Sequence, residues 1–142
     1  MRIKLNVKAK STWSQFDRDI AMAATVWAME KFDLVDESAV LELKLVADER
    51  EDGCAIEMVR HERYVVRISK GRSVKKTLDT IFHEMTHIKQ YFRDGFMMTV
   101  EGDKVFWKHE ERDFDEEKDY WKAPWEVEAR RVAKKMVKEY TK

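Results

Sequence analysis

The segment His83-Glu84-Met85-Thr86-His87 contains the residues of this chain whose types and spacing are best suited to chemistry. Residues four apart lie on the same face of a helix, so both imidazoles can reach a single zinc ion. The glutamate between them then lies beside the metal, where it can take a proton from water. The pattern spans only five residues, and two surface histidines on an amphipathic helix are the alternative. The elements around the segment must therefore decide between the two.

The helix that carries this segment is predicted from Val74 to Arg93, with Ser73 as its N-cap and Asp94-Gly95 at its end. At about 100° per residue, its apolar side chains form one stripe, which should face a sheet. The stripe consists of Val74, Leu78, Ile81, Met85, Ile88 and Phe92. The two histidines fall roughly opposite the stripe. They therefore face either solvent or another element packed on the far side of the helix.

A catalytic zinc ion usually has three protein ligands and keeps one position for water. Because Cys54 is the only cysteine, the third ligand must be a histidine or a carboxylate. A last helix is predicted from Trp125 to Tyr140, with Pro124 at its start. Glu126 falls inside the apolar face of this helix, and an inward carboxylate is costly unless it is paired or bound to metal. Glu126 is the predicted third ligand, and its alternative role is that of an acid favoured by the helix dipole.

Four other side chains are candidates for a role at the site. Glu128 projects away from the apolar face of the last helix, which predicts a role at the surface or as a support behind the metal ligands. His61 and His109 remain alternative ligands, and His109 lies close enough in sequence to fold back over the metal. Tyr120 is the predicted donor to an oxyanion, and packing beside Trp121 is its alternative role.

The elements that position these residues occur in the order strand, helix, strands, helix, hairpin and helix, which predicts one α+β domain over residues 1–142. Ser11 or Thr12 is the predicted cap of the first helix, whose apolar residues begin with Phe16. We expect a mostly antiparallel, twisted sheet of three to four strands. The predicted strands are 3–7, 41–45, 56–59 and 64–68, with a polar turn at 48–53. Residues 96–100 and 105–107 are predicted to form a hairpin that turns at Glu101-Gly102-Asp103. Lys108 to Lys122 is predicted to be a surface loop.

The composition argues against several classes of protein. Lys+Arg and Asp+Glu balance at 28 each, which argues against a dedicated nucleic-acid binder. No apolar run approaches the length needed to span a membrane, and the first seven residues alternate in the manner of a strand, unlike a signal peptide. A single cysteine excludes an intramolecular disulfide. We therefore expect the chain to work in the cytoplasm of a bacterium or of a phage-infected host cell.

At these residues the chain resembles the gluzincins, in which an HExxH helix is followed by a later helix with a glutamate ligand. The stretch from Tyr120 to Ala129 resembles the Pro-Trp-Glu-x-Glu-Ala segment of small phage and bacterial peptidases described as SprT-like. It is also similar to the glutamate-bearing helix of the ImmA/IrrE group. The likeness covers the order of elements from about Leu41 to the C-terminus. SprT proteins proper use a third histidine, and none follows shortly after His87, so the glutamate-ligand type is favoured.

This resemblance implies a small zincin-like domain that hydrolyses peptide bonds with one Zn²⁺ ion. In this hypothesis His83, His87 and Glu126 hold the metal, and Glu84 acts as the general base. An edge strand of the sheet would pair with an extended substrate by β-augmentation. The alternative function is a catalytically weak or inactive module that keeps the metal site for binding or regulation. A domain without metal is the third alternative.

The sequence leaves open which strand would bind the substrate. Tyr64 to Ile68 and Ile56 to Val59 are both candidates for the edge. The neutral chain gives no clear substrate preference, and the excess of acids between Lys108 and Lys122 is compatible with basic peptides.

Overall fold

A computed structural model describes residues 1–47, 51–71, 73–99 and 103–142. Its elements are β1 (Arg2–Val7), α1 (Gln15–Lys31), β2 (Val40–Val46), β3 (Gly53–Val59), β4 (Arg63–Ser69), α2 (Val74–Arg93), β5 (Met97–Met98), β6 (Lys104–Trp107), β7 (Glu110–Asp113), α3 (Glu116–Asp119) and α4 (Pro124–Tyr140). The predicted α+β class is confirmed. The predicted turns at 48–53 and 101–103 lie partly outside the described residues. Among those residues, no helix is both long and apolar enough to cross a bilayer.

The main sheet has four strands in the order β1-β2-β4-β3. β2 pairs in parallel with both β1 and β4, and only the β3–β4 pair is antiparallel. The prediction of a mostly antiparallel sheet is therefore wrong for this sheet. Alternation along a strand reports which face is buried but not the direction of its neighbours, so the sequence pattern could not distinguish the two arrangements.

The register of the central strands places their large apolar side chains on one face. Leu41 lies opposite Tyr64, and Leu43 lies opposite Val66. These residues are almost fully buried. Because β4 lies between β2 and β3, β3 occupies the edge of the sheet. The choice between the two candidate edge strands is thus decided in favour of the segment that contains 56–59.

Helix α2 has the predicted bounds and crosses the buried face of the sheet. Its N-cap Ser73 accepts a hydrogen bond from the backbone N–H of Lys76. Four residues of the predicted stripe are buried there, namely Leu78, Ile81, Met85 and Ile88. Val74 is an exception, because it stands half-exposed in the first turn. α1 packs beside α2, and α4 packs closely along α2.

Helix α1 begins later than predicted. Ser14, not Ser11 or Thr12, caps it by accepting from the backbone N–H of Asp17. Trp13 is fully buried just before the cap, and its indole N–H donates to the carbonyl of Val46 at 2.6 Å. The tryptophan is thus anchored to β2 directly before the helix. Phe16, in the first turn, is 71% exposed.

The small second sheet is antiparallel, in the order β5-β6-β7. The prediction of a loop from Lys108 to Lys122 is wrong, because the segment contains β7 and the single helical turn α3. All four residues of β7 are exposed and charged, so the strand has no apolar alternation that a sequence pattern could detect. Phe114, directly after β7, is buried and ties the segment to the core.

Candidate metal centre

One face of α2 brings three potential metal ligands together. Among the described residues, the ligand atoms of His83, Glu84 and His87 lie within 4.8 Å of one another and could hold a metal ion. The two imidazole rings are 5.0 Å apart and nearly perpendicular. His87 and Glu84 are buried, whereas His83 is partly exposed. Four-residue spacing on one helix is sufficient to bring the two rings together.

Helix α4 supplies the second carboxylate of the group. Glu126 Oε1 lies 3.1 Å from Nε2 of His83, and Oε2 lies 3.0 Å from Nε2 of His87. Pro124 occupies the first turn of α4, so Glu126 follows directly after the helix start. The glutamate is 6% exposed, which confirms that it faces inward. Of the two alternatives for the histidines, solvent or another element, the structure shows the second.

The spacing of these atoms fits a small cation. Tetrahedral zinc with nitrogen and oxygen ligands places neighbouring ligand atoms about 3.4 Å apart. The two separations between Glu126 and the imidazoles are close to this value. Two imidazole nitrogens and a carboxylate are also a donor set that zinc accepts. The residues present therefore fit a zinc ion.

The electrostatics of Glu126 and His87 are coupled. Burial acts to raise the pKa of Glu126, but hydrogen bonds from His83 and His87 outweigh it and lower that pKa to about 2. Burial acts to lower the pKa of His87, but the hydrogen bond and negative charge of Glu126 outweigh it, so the net shift is upward. Glu126 is consequently ionised at neutral pH and is available as an anionic ligand.

Glu84 has a different environment from Glu126. It is buried, and this burial raises the pKa of its carboxyl despite the nearby imidazoles of His87 and His83. Gly53 of the edge strand packs against it so closely that an added Cβ would lie 3.2 Å from Glu84 Cγ. A carboxyl with a raised pKa that lies beside a metal-binding group suits proton transfer better than permanent charge.

The group opens onto a cavity of about 860 Å³ between β3, α2, α3 and the start of α4. Tyr120 lines this cavity and is 44% exposed. Burial of its hydroxyl, together with the negative charges of Glu126 and Glu84, raises the pKa of Tyr120. The phenol is therefore protonated at neutral pH and can donate a hydrogen bond.

The alternative histidine ligands lie elsewhere. His61 is exposed in the turn between β3 and β4, with its ring against Phe92. His109 is exposed in the turn between β6 and β7, where its ring packs on Gly95. Neither lines the cavity. Glu128 is half-buried, and its Oε1 accepts a hydrogen bond at 3.1 Å from Gln90, which itself contacts His87. Of its two predicted roles, these contacts agree with the supporting one.

Several residues at the site were missed by the sequence reasoning. Gln90 is fully buried beside His87, and Tyr91 lines the cavity while its hydroxyl donates to the carbonyl of Ala55 at 3.3 Å. Gln90 and Tyr91 lie three and four residues after His87, and this helical spacing was the sequence signal that could have placed both beside the site. An aromatic cluster supports the start of α4 from the side of the small sheet, and it consists of Phe96, Trp107, Phe114 and Trp125.

Comparison of the chain with protein-family models, with curated proteins and with solved structures gives no match. The gluzincin resemblance thus stays a prediction based on the residues quoted for it.

Proposed function

We propose that this chain is a zinc-dependent peptidase in which His83, His87 and Glu126 hold one Zn²⁺ ion and Glu84 is the general base. The observation that carries the proposal is the position of Glu126, whose two oxygens lie 3.1 and 3.0 Å from the Nε2 atoms of the two histidines. Two surface histidines on an amphipathic helix would have no buried carboxylate between them. The resemblance to glutamate-ligand zincins points in the same direction.

Two carboxylates could complete the ligand set, and their environments assign them different roles. Glu126 contacts both imidazoles, and its pKa is lowered to about 2, which favours a permanently charged ligand. The pKa of Glu84 is raised by burial, which favours a group that gains and loses a proton during turnover. We therefore assign Glu126 to the metal and Glu84 to proton transfer.

Zinc, when bound, supplies Lewis acidity that makes water more acidic and polarises a carbonyl group. Glu84 takes one proton from the attacking water and delivers it to the nitrogen of the leaving amine, so that it returns to its starting state. The phenolic O–H of Tyr120 donates a hydrogen bond to the carbonyl oxygen on which negative charge develops. Its raised pKa keeps that hydrogen in place at neutral pH.

The cavity also indicates how a substrate would bind. β3 is an edge strand beside the cavity, so an extended peptide can add to it by backbone hydrogen bonds. Acidic side chains outnumber basic ones around the cavity. Apart from Glu84 and Glu126, the acids are Glu51, Asp52, Asp79, Glu116 and Glu117, and the bases are Lys76 and Arg130.

The wall of the cavity stays acidic after the ion pairs are taken into account. Lys76 pairs with Asp52 at 3.2 Å, and Arg67 lies 4.0 Å from Glu51, so these charges largely cancel. The charges of Asp79, Glu116 and Glu117 then exceed that of Arg130, whose guanidinium stacks on Trp121 at 3.7 Å from the ring centre. Peptides with lysine or arginine near the scissile bond are therefore the proposed substrate class.

The test combines metal analysis with a proteomic cleavage screen, using protein purified without a histidine tag. We expect about one zinc per chain in both the wild type and Glu84→Gln, and cleavage only by the wild type. Loss of a general base typically costs 10²- to 10⁴-fold in rate, roughly the factor expected here. Turnover retained in Glu84→Gln would remove Glu84 from this role. Zinc binding without any cleavage by the wild type would instead identify a binding or regulatory module.

A further inference from the structure

Gln90 connects a proposed metal ligand to the opposite helix. It lies on α2 and is fully buried. Its Oε1 atom lies 2.7 Å from Nδ1 of His87. Its Nε2 atom donates to the backbone carbonyl of Trp125 at 3.0 Å and to Oε1 of Glu128 at 3.1 Å. The amide thus touches α2 with one end and α4 with the other.

The chemistry of these partners fixes the orientation of the amide. A carbonyl oxygen and a carboxylate can only accept hydrogen bonds. The end of Gln90 that faces Trp125 and Glu128 must therefore be its NH₂ group, and both of its hydrogens are used. The end that faces His87 must be the oxygen, which can only accept.

The same reasoning fixes the proton on His87. Because Oε1 of Gln90 only accepts, Nδ1 of His87 carries the hydrogen between them. In the neutral ring the other nitrogen, Nε2, then has a lone pair. That atom lies 3.0 Å from Oε2 of Glu126. A lone pair facing a carboxylate is unfavourable unless a cation lies between them. Without a metal that cation is a second proton, on Nε2, which donates to Glu126. A metal ion would take the place of this proton, so Nε2 is the nitrogen that Gln90 leaves for the metal.

We infer that Gln90 is a positioning residue, which holds His87 in the Nδ1-protonated tautomer and fixes its ring between α2 and α4. Its effect on zinc depends on the proposed function, whereas its effect on the His87 proton does not. Glu128 belongs to the same arrangement, because it occupies one of the two amide hydrogens. The metal site is thereby coupled to α4 at two places, through Glu126 directly and through Gln90.

The first test is zinc affinity, measured by chelator competition. Groups that orient a metal-bound histidine typically contribute 10- to 100-fold to affinity, and we expect a loss of roughly this size for Gln90→Leu. Glu128→Ala should cause a smaller loss, because the carbonyl of Trp125 still holds the amide. Glu128→Gln retains an oxygen acceptor and should be close to wild type. Ile88→Val, a change at a fully buried neighbour on the sheet side, is the packing control and should keep wild-type affinity.

The second test follows the His87 Nδ1 proton by NMR of ¹⁵N-labelled protein, with and without zinc. We expect a slowly exchanging Nδ1 proton in the wild type under both conditions, and fast exchange or a mixture of tautomers in Gln90→Leu. If Gln90→Leu does not fold, Glu128→Ala replaces it as the test variant, because this substitution does not alter the core. The Nδ1 proton of His87 should exchange faster in Glu128→Ala than in the wild type.

Two results would overturn the inference. The first is a Gln90→Leu variant that keeps both the zinc affinity and the Nδ1 proton exchange rate of the wild type. If that variant does not fold, an unchanged exchange rate in Glu128→Ala would have the same meaning. The other is an equal loss of affinity in Ile88→Val, which would assign the effect to packing. If the wild type binds no zinc yet shows the protected Nδ1 proton, the proposed function fails while the role of Gln90 stands.

Discussion

Oε2 of Glu126 lies 3.0 Å from Nε2 of His87, across the interface between the first turn of α4 and the middle of α2. The contact joins two helices that are distant in sequence, and a metal ion held there would do the same. Metal occupancy and the packing of α4 should therefore be coupled, since a ligand that binds only the folded site stabilises the fold.

Replacing Glu126 should abolish tight metal binding. In Glu126→Gln the carboxylate becomes a neutral amide of nearly the same shape, so the anionic ligand is lost with little change in packing. Glu128→Gln, two residues away on the same helix, is the matched control and should retain about one zinc per chain. Atomic spectroscopy of dialysed, tag-free protein measures both. Equal metal loss in the two variants would contradict the assignment of Glu126.

Zinc should stabilise the folded chain. At a free zinc concentration of 100 times Kd, the expected gain in the free energy of unfolding is about 2.7 kcal/mol. Differential scanning fluorimetry with a zinc titration, followed by a chelator, measures the change in Tm. His83→Ala removes one ligand and should largely abolish the zinc-dependent rise. A rise of the same size in His83→Ala would place the stabilising ion at another site.

Gly53→Ala should damage both stability and turnover. The new Cβ would lie 2.8 Å from the backbone oxygen of Arg67, 2.9 Å from Thr80 Cγ2 and 3.2 Å from Glu84 Cγ. Because a backbone oxygen cannot move aside alone, the edge strand must shift, which we expect to cost about 1–3 kcal/mol. Chemical denaturation and kcat measure the two effects. Val59→Ala, at the other end of β3, is the control that should leave kcat unchanged, and an equal fall of kcat there would contradict the local explanation.

Charge reversal at the cavity should change substrate preference. Replacing Glu116 and Glu117 by lysine puts positive charge on α3, at the wall of the cavity. We expect kcat/KM to fall for lysine- and arginine-containing peptides relative to neutral ones, and the fall to shrink at high salt. The control replaces Glu62 and Glu110 by lysine, which makes the same change in net charge at exposed positions outside the cavity. A fall of equal size in the control would indicate an effect of net charge alone.

The ion pair of Asp17 and Lys70 should contribute a small pH dependence. Lys70 Nζ lies 2.8 Å from Asp17 Oδ2, and hydrogen bonds from Lys70 and Ser14 lower the pKa of Asp17 below its usual 3.8. Because the folded pKa is the lower one, the stabilisation is present above about pH 4 and is lost as the pH falls through the folded pKa. For a pair this exposed it should be below about 1 kcal/mol. Asp17→Asn should flatten the acid limb of the denaturation curve slightly, and an unchanged limb would contradict this role.

Local patterns predicted the two helices that carry the site. The bounds of α2 match because Ser73, the apolar stripe and Asp94-Gly95 mark its start, its buried face and its end within one stretch of chain. The inward direction of Glu126 was predictable for the same reason, since the wheel depends only on helical spacing. These properties are decided by residues within a few turns of each other.

Other features depended on residues that are far apart in the chain. β2 pairs in parallel with β1, which precedes it across α1, and with β4, which follows it across β3, and no pattern inside a strand reports these directions. Helix α1 starts later than predicted, directly after Trp13, which is hydrogen-bonded to Val46 on another element. β7 has no apolar signal, and its backbone pairing with β6 alone identifies it.

The HExxH segment shows the same difference between features decided by local sequence and features decided by tertiary packing. The sequence by itself determined that His83 and His87 share one helix face, because spacing along a helix is fixed by backbone geometry. Only the tertiary structure decided that Glu126 meets both rings, that Glu84 is buried against Gly53, and that Gln90 turns its oxygen toward His87. Those contacts arise where α2, β3 and α4 pack together, and the packing depends on all three surfaces at once.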